Sequence, residues 1–394
     1  MYWSRRMKLK QQPGDFIVEE IPSITFSEEK NAQKIFLMEK QEIDTFEAVR
    51  LISKKTGLPL HEIGYAGLKD KHALAKQYIS LPSHVNIQEL KTANVRLRFV
   101  GYHSKKIQIG DLQGNRFQII VRDIQPDELP GIQKRGQNLP HSGIPNYFDS
   151  QRFGSVFRGE FIAKFVVKKN YEPAVKLYLT SYLKSEKKMV KDEKRLILAH
   201  WNTLGSISVR KKEFALVITE YLTAGSWLAA YKKIPASLRE MYVNAYQSFL
   251  WNESVKEILH TCVDETRLYP IPYHLGSLVF YTGLNAEEVR YLPSVFPTLS
   301  ETVLLSDSQH QIVDKVLLRE KITLQDFAIE EDTGNFFKTR SRPVLVKPEH
   351  FVLSDSVPDE VNDALGKPRF KMSVSFELPQ GCYATLITKR LFGH

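Results

Sequence analysis

Cysteine is scarce in this 394-residue chain: Cys262 and Cys382 are the only two, far apart and outside any CxxC spacing. Neither a disulfide framework nor a cysteine-rich zinc site can be built from them, and a reducing cytoplasm is the expected location. No stretch approaches the ~18 apolar residues of a membrane span, and the opening MYWSRRMKLKQQPGDF puts charges where a signal peptide needs apolar residues. Membrane contact is therefore limited to the surface at most, and no membrane partner is expected. Also missing are GxxxxGK[ST], GxGxxG after a strand, HExxH, GxSxG and an EF-hand loop. Nucleotide hydrolysis, dinucleotide redox chemistry and zinc hydrolysis all lose support. The eleven histidines are scattered, and His260 with Cys262 lacks the further ligands of a tetrahedral site. No metal, no nucleotide cofactor and no other cofactor is expected.

What is present is an ordinary globular composition, with 42% hydrophobic and 25% charged residues, and a length suited to one large or two medium domains. Fifty-five Lys and Arg against 45 Asp and Glu leave a formal charge of +10. That excess favours a polyanionic partner, nucleic acid first and a membrane surface second.

Alternation through Phe16, Val18 and Ile21 and the apolar run Lys34–Met38 read as strands. Asp44 and Glu47 stand at capping-box spacing, Val49 and Ile52 follow at helical steps, and Gly57 supplies a left-handed stop, which predicts a helix over about 45–56. Tyr78–Leu81, Val95–Val100 and Phe117–Val121 read as further strands. After about residue 155 the texture turns helical, as in Pro173–Ser185 and Leu238–Leu259, and a lysine-rich run extends from Lys184 to Arg195. A solvated helix face is the favoured reading of that run, with contact to an RNA backbone the other. Strand character returns at Arg342–Val346 and Met372–Leu378, so the last fifty residues are expected to rejoin the first sheet around an inserted domain.

The segment GYAGLKDKHALAKQYISL, Gly64 to Leu81, holds the chemistry. Gly64, Ala66 and Gly67 leave room for close backbone approach. Asp70 stands between Lys69 and Lys71, and nearby cations favour an ionised carboxylate, which can act as nucleophile or base. Spacing alone slightly favours a solvated turn in which Asp70 pairs with its own lysines.

Gly67 to Gln77 resembles the GxKD[KR]xAxTxQ signature of the tRNA pseudouridine synthase D (TruD) family, with Ala75 in place of Thr. In the same order follow GDLQGNRF at Gly110 to Phe117, NYFDSQRFG at Asn146 to Gly154 with Asp149 for Gly, and FELPQGCYAT at Phe376 to Thr385 with Cys382 for Ser. GDFIVEEIP, Gly14 to Pro22, is similar to the family's opening, and NAYQSFLWN, Asn244 to Asn252, to a helix of its inserted domain.

The resemblance implies isomerisation of uridine to pseudouridine within RNA, with Asp70 as catalytic carboxylate. It acts by attack at C1′ or removal of the 2′ proton. The target must be flipped from its helix. Phe16, Asn115, Phe117 and Tyr383 match the positions that hold base and ribose; plain core packing is the alternative for each aromatic. Lys10 would pair with Asp70 or touch phosphate. Gln151 and Arg152 would support the active-site wall, with Lys69 and Lys71 flanking the carboxylate. The glycine that Asp149 replaces raises the question of a backbone conformation that only glycine adopts cheaply.

The fold implied is α/β (α+β): a mixed, largely antiparallel sheet with flanking helices from residues 1–154 and 339–394, around an inserted α/β domain at 155–338. The expected partner is tRNA, most directly uridine 13 in its D arm, and the expected state is a monomer. Basic residues, among them Arg96, Lys106, Arg116, Arg135 and Arg158, are expected to gather around one cleft. The rivals are an RNA-binding or tRNA-folding protein that keeps the fold without activity, and an RNA glycosylase that would release free uracil.

Overall fold

The structure, a computed structural model, describes residues 7–71, 73–183, 186–329, 337–363 and 367–393. His72 of the central segment, Lys184 of the lysine-rich run and the first six residues of the charged opening lie outside the described residues. The chain divides into two compact units, one of residues 2–144 with 346–394 and one of 145–345. Among the described residues no helix is long and apolar enough to cross a membrane.

The first unit is built on an 11-stranded sheet. Its principal strands are β1 (Phe16–Pro22), β2 (Gln33–Lys40), β3 (Leu74–Pro82), β4 (Glu89–Lys91), β5 (Val95–His103), β6 (Leu112–Ile124), β7 (Glu349–Leu353) and β8 (Phe370–Pro379). They lie in the order β7-β8-β6-β1-β3-β2-β5-β4. β1 runs parallel to β3, and the other neighbours in this path are antiparallel. Helix α1 (Thr45–Thr56) starts where Asp44 accepts the Glu47 amide at 2.8 Å and stops at Gly57, whose φ of 75° a side chain would resist. Ala48, Val49 and Ile52 of α1 pack on Phe36, Met38, Ile79 and Leu97 of the sheet. This closes the core beside the end of β2. Gly114 has a steric reason: a Cβ there would stand 2.3 Å from the Leu378 carbonyl oxygen on the neighbouring strand.

The return to the large sheet is made by β7 and β8, not by the Arg342–Val346 segment. Ser341–Pro343 instead pairs with Val295–Pro297 within the second unit. Pro343 has no N–H to extend a ladder, which suits a short edge pairing and not a central strand. The second unit is otherwise mainly helical, with Tyr171–Thr180, Lys188–Ala199, Lys212–Ala224, Ala236–Cys262 and Asp307–Glu320 as its longer helices. The lysine-rich run is not wholly a solvated face, because Lys194 is buried and donates to the Ser181 carbonyl at 2.6 Å.

A buried ionic hub fixes the approach to β1. Arg122 on β6 donates to both oxygens of Asp15 at 3.0 and 3.1 Å, to Asp359 at 2.9 Å and to Gln12 at 3.1 Å. Asp15 and Asp359 are fully enclosed. Burial pushes the Asp359 carboxyl up, but hydrogen bonds from Asn362, the Asp123 and Val361 amides and Arg122 outweigh it and hold the group below its ordinary value. Arg122→Met strands two buried carboxylates and should lower unfolding free energy by about 3–5 kcal/mol at pH 7 in urea titrations. A depressed carboxylate adds stability above its ordinary pKa and loses it as pH falls through the folded value, so the gap between the proteins should narrow below pH ~4. A variant within about 1 kcal/mol of wild type at neutral pH would show that the hub does not hold the segment.

Candidate active site

Asp70 lies in the irregular segment that enters β3, and Lys10 in the one that enters β1. Because β1 and β3 are parallel, with Ile17 opposite Leu74, both entering segments emerge at the same end of the sheet. The Lys10 ammonium forms an ion pair with Asp70 Oδ2 across 60 positions of sequence. Lys10 adopts a left-handed backbone, φ 56°, uncommon outside glycine. Its ammonium also stands 4.3 Å from the centre of the Phe16 ring. The Asp70 side chain keeps 30% of its surface exposed.

Its main chain has no such freedom. Lys40, at the end of β2, is buried, and its ammonium donates to the carbonyls of Ile43 at 2.9 Å, Lys69 at 3.1 Å and Asp70 at 2.9 Å. Three N–H groups meet three acceptors. Thr45, the first residue of α1, accepts the Lys69 amide at 2.9 Å and donates to Gln77 Oε1 at 3.0 Å. Gln77 in turn donates to the Gly67 carbonyl at 3.1 Å. Residues 67–70 form no strand, and these side chains replace the missing ladder.

Lys69 does not flank Asp70 as its sequence position implies. Its ammonium turns inward to Glu20, 2.7 Å away, and both side chains are almost completely enclosed. Burial drives the Glu20 carboxyl up against the opposing pull of Lys69. Lys71 is exposed. Lys10 thus supplies a cation at the carboxylate that the adjacent Lys69 does not, because consecutive side chains leave the chain in different directions.

Across the sheet, Lys40, Ala75, Val18, Phe117 and Phe376 fall opposite one another on successive strands β2, β3, β1, β6 and β8. Ala75 lies directly beside Lys40 and is fully buried. Phe16 meets Phe117 edge-on at 6.2 Å, and Phe117 lies 5.5 Å from Phe376. Phe16 and Phe117 are only 6% and 8% exposed, so in this state most of each ring is packed in the core. Asn115, opposite Glu20 and Leu378, carries a buried Oδ1 with no hydrogen-bond partner among the described residues. Tyr383 is half-buried where the helix Ala384–Phe392 begins.

Gln151 and Arg152 belong to the second unit, where Arg152 donates to Ser248 Oγ at 2.9 Å and stands over Phe148. Asp149 has an extended backbone, φ −97°, and caps the following turn by accepting the Ser150 amide at 2.7 Å, so no glycine-only conformation is needed. Gly67 meets no close backbone, unlike Gly64, where a Cβ would stand 2.4 Å from the Ile107 carbonyl oxygen. Several of the basic residues expected around a cleft have intramolecular partners: Arg96 with Glu89, Arg116 with Glu377, Arg135 with the Leu391 carbonyl and Lys106 with that of His61. Arg158 lies in the second unit.

Lys40, Thr45 and Glu20 were not among the expected site residues. Glu20 had a signal, since period-two alternation puts it on the face of Phe16 and Val18. Lys40 had none, because a lysine ending an apolar strand reads as a surface cap.

The family model described as tRNA pseudouridine synthase D matches residues 4–271 and 282–391. A Methanocaldococcus jannaschii protein named "Probable tRNA pseudouridine synthase D 2" is 38% identical over 400 residues, covering 99% of this chain and 92% of the relative. A tRNA pseudouridine synthase D of Aquifex aeolicus is 31% identical over 399 residues, covering 98% of each. A solved Methanosarcina mazei structure bearing the same family name has a TM-score of 0.73 over 99% of this chain and 94% of that one, at 24% identity, which bears on the fold alone.

Burial pulls the Lys40 ammonium down to about 8, against the pull of Asp70 and Asp44 and with some help from Lys69. With the folded value below the ordinary one, the folded state releases its proton first, so the charge is held at a cost that fades as pH rises from about 8 to 10.5. The amine has two N–H groups for three carbonyls. In ¹⁵N-lysine spectra one ammonium should titrate near 8 and vanish in Lys40→Met. Amide exchange of residues 69–71, corrected for intrinsic rate, should speed up through that pH in wild type and be fast throughout in the variant. Unchanged exchange in the variant would sink the claim that Lys40 orders the segment.

Proposed function

The chain belongs to the tRNA pseudouridine synthase D family, a family of RNA-modifying isomerases, and from that premise we propose that it converts uridine 13 in the D arm of tRNA to pseudouridine with Asp70 as the catalytic carboxylate. The observation that carries this reading is the contrast at Asp70, whose carboxylate stays partly exposed beside Lys10 while its main chain is tied down by Lys40. A group that must meet a reacting carbon needs both access and fixed position.

A uridine stacked in an RNA helix is out of reach, so the nucleotide is flipped toward Asp70. In one route the carboxylate attacks C1′ as the bond to N1 breaks. The freed uracil turns, its C5 bonds to C1′, the carboxylate departs and C5 gives up its proton. In the other route the carboxylate removes the 2′ proton, N1 leaves, and a proton returns to C2′ as C5 bonds to C1′; in both routes C5 then loses its proton and N1 gains one. Atoms balance in both, because the product is an isomer. Lys10 supplies the counter-charge of the free carboxylate. The unpartnered Asn115 Oδ1 is an acceptor suited to uracil N3–H, and Phe16, Phe117 and Tyr383 supply aromatic surface for base and ribose. The unit of residues 2–144 with 346–394 is read as the catalytic body, and 145–345 as the inserted family domain.

Unmodified tRNA is treated with wild type and with Asp70→Ala under single-turnover conditions, then labelled with carbodiimide and reverse-transcribed. Wild type is expected to give a stop at position 13, and Asp70→Ala to lower its rate by about 100- to 10,000-fold or more while tRNA binding persists. Lys10→Met, which removes the cation beside Asp70 and keeps a side chain of similar length, should slow the reaction while tRNA binding persists. Tight binding by both proteins without a stop on any tRNA would instead identify an RNA-binding relative without activity. Release of free uracil would identify a glycosylase.

A further inference from the structure

The second unit contains a cavity of about 550 Å³ that nothing above assigns, walled by the helices Tyr171–Thr180, Lys188–Ala199 and Ala236–Cys262 and by the start of Lys212–Ala224. Its size falls within the range of ligand pockets. Phe157, Tyr178, Phe214 and Tyr242 give it aromatic walls. The charge around them is unequal: Arg152, Lys187, Lys194 and Lys211 face a single acid, Glu186.

That acid is already committed to the buried Lys194, 3.0 Å away. The Lys211 ammonium lies 4.3 Å from the Phe214 ring centre, on the same ring that Lys194 approaches at 5.7 Å. Two cations therefore approach one aromatic ring, and no carboxylate is paired with Lys211 among the described residues. Two lining residues, Ser155 and Tyr178, also carry buried hydroxyls without a hydrogen-bond partner among the described residues. Tyr178 meets Phe214 and Tyr242 edge-on, and excess positive charge beside unsatisfied polar groups and aromatic side chains calls for a ligand that is at once anionic, aromatic and rich in hydrogen-bonding edges.

We propose that this cavity binds one nucleotide, its phosphate against Lys187 and Lys211 and its base among the aromatic side chains. A phosphate supplies a counter-charge to Lys187 and Lys211, and a planar base meets aromatic ring faces. The nucleotide belongs either to an unstacked position of an RNA strand or to a free nucleoside monophosphate. The cavity lies within residues 145–345, so the proposal does not depend on Asp70 or on the isomerase reading.

Calorimetric titration of the full chain compares AMP and UMP with adenosine, inorganic phosphate and a 5′-phosphorylated RNA pentanucleotide. Monophosphates are expected to bind saturably and more tightly than adenosine or phosphate. Lys211→Glu should weaken them at least tenfold, Lys211→Arg should restore them, and Asp70→Ala should leave them unchanged. Lys187 is exposed and carries the test if Lys211→Glu does not fold, with Lys187→Glu weakening binding at least threefold. A pentanucleotide that binds more tightly than AMP and displaces it makes the source an RNA strand; a preference for the monophosphate makes it a free nucleotide. Saturable binding by none of the nucleotides, binding indifferent to both charge reversals, or phosphate alone binding as tightly as AMP would overturn the proposal.

Discussion

Strand β1 runs parallel to β3 in a sheet whose other principal neighbours are antiparallel, and that direction decides what can meet at the site. Two parallel strands begin at the same end, so the segments leading into them are neighbours however far apart they lie in sequence. Lys10 and Asp70 are brought together in this way. Were β1 reversed, its entrance would lie at the far end of a seven-residue strand, about 20 Å away at ~3.3 Å per residue, and no lysine side chain spans that distance. The Arg122 hub then stops the β1 entrance from wandering, because Gln12 and Asp15, just after Lys10, are held to β6.

Three lysines around Asp70 do three different things. Lys10 meets the carboxylate, Lys69 meets the buried Glu20 and Lys40 meets main-chain carbonyls. The charges are thereby kept apart in depth. The enclosed Lys69 is neutralised locally by Glu20, so it neither pulls the Asp70 side chain inward nor leaves an unpaired charge in the core. The Lys10–Asp70 pair differs in that its acid keeps 30% of its side-chain surface exposed while Lys10 keeps 9%.

The strands and α1 were legible because local signals suffice for them: period-two alternation marks Phe16–Pro22, and Asp44, Glu47 and Gly57 mark both ends of the helix. Ion pairing was not legible from spacing in the same way, and Lys10 entered as a partner of Asp70 only through the family resemblance. Adjacency in KDK predicts Lys69 and Lys71 as partners of Asp70, but contact depends on strand direction and on which way each side chain leaves an irregular segment. Arg342–Val346 misled for a related reason, since apolar β-branched residues say that a segment pairs and not with what. Nor does spacing announce that Arg96 and Arg116 are matched by acids on facing strands. The Asp70 segment was recognisable as a motif, whereas the Lys40 and Thr45 cage beneath it depends on long-range pairing that no spacing within the motif encodes.

Lys40 poses the sharper energetic question, because a buried ammonium is costly and a methionine of similar length would pack there at lower cost. Stability is therefore a poor explanation for a lysine at this position. What an apolar side chain cannot supply is direction. Residues 67–70 must leave the ladder for Asp70 to face outward, and each carbonyl turned from the sheet then needs a donor from elsewhere. An ammonium with three N–H groups satisfies Ile43, Lys69 and Asp70 at once and ties the end of β2, the start of α1 and the Asp70 segment to one point. The penalty of burying the charge is offset locally by these bonds, and what it secures is a fixed main chain beneath a carboxylate that remains accessible.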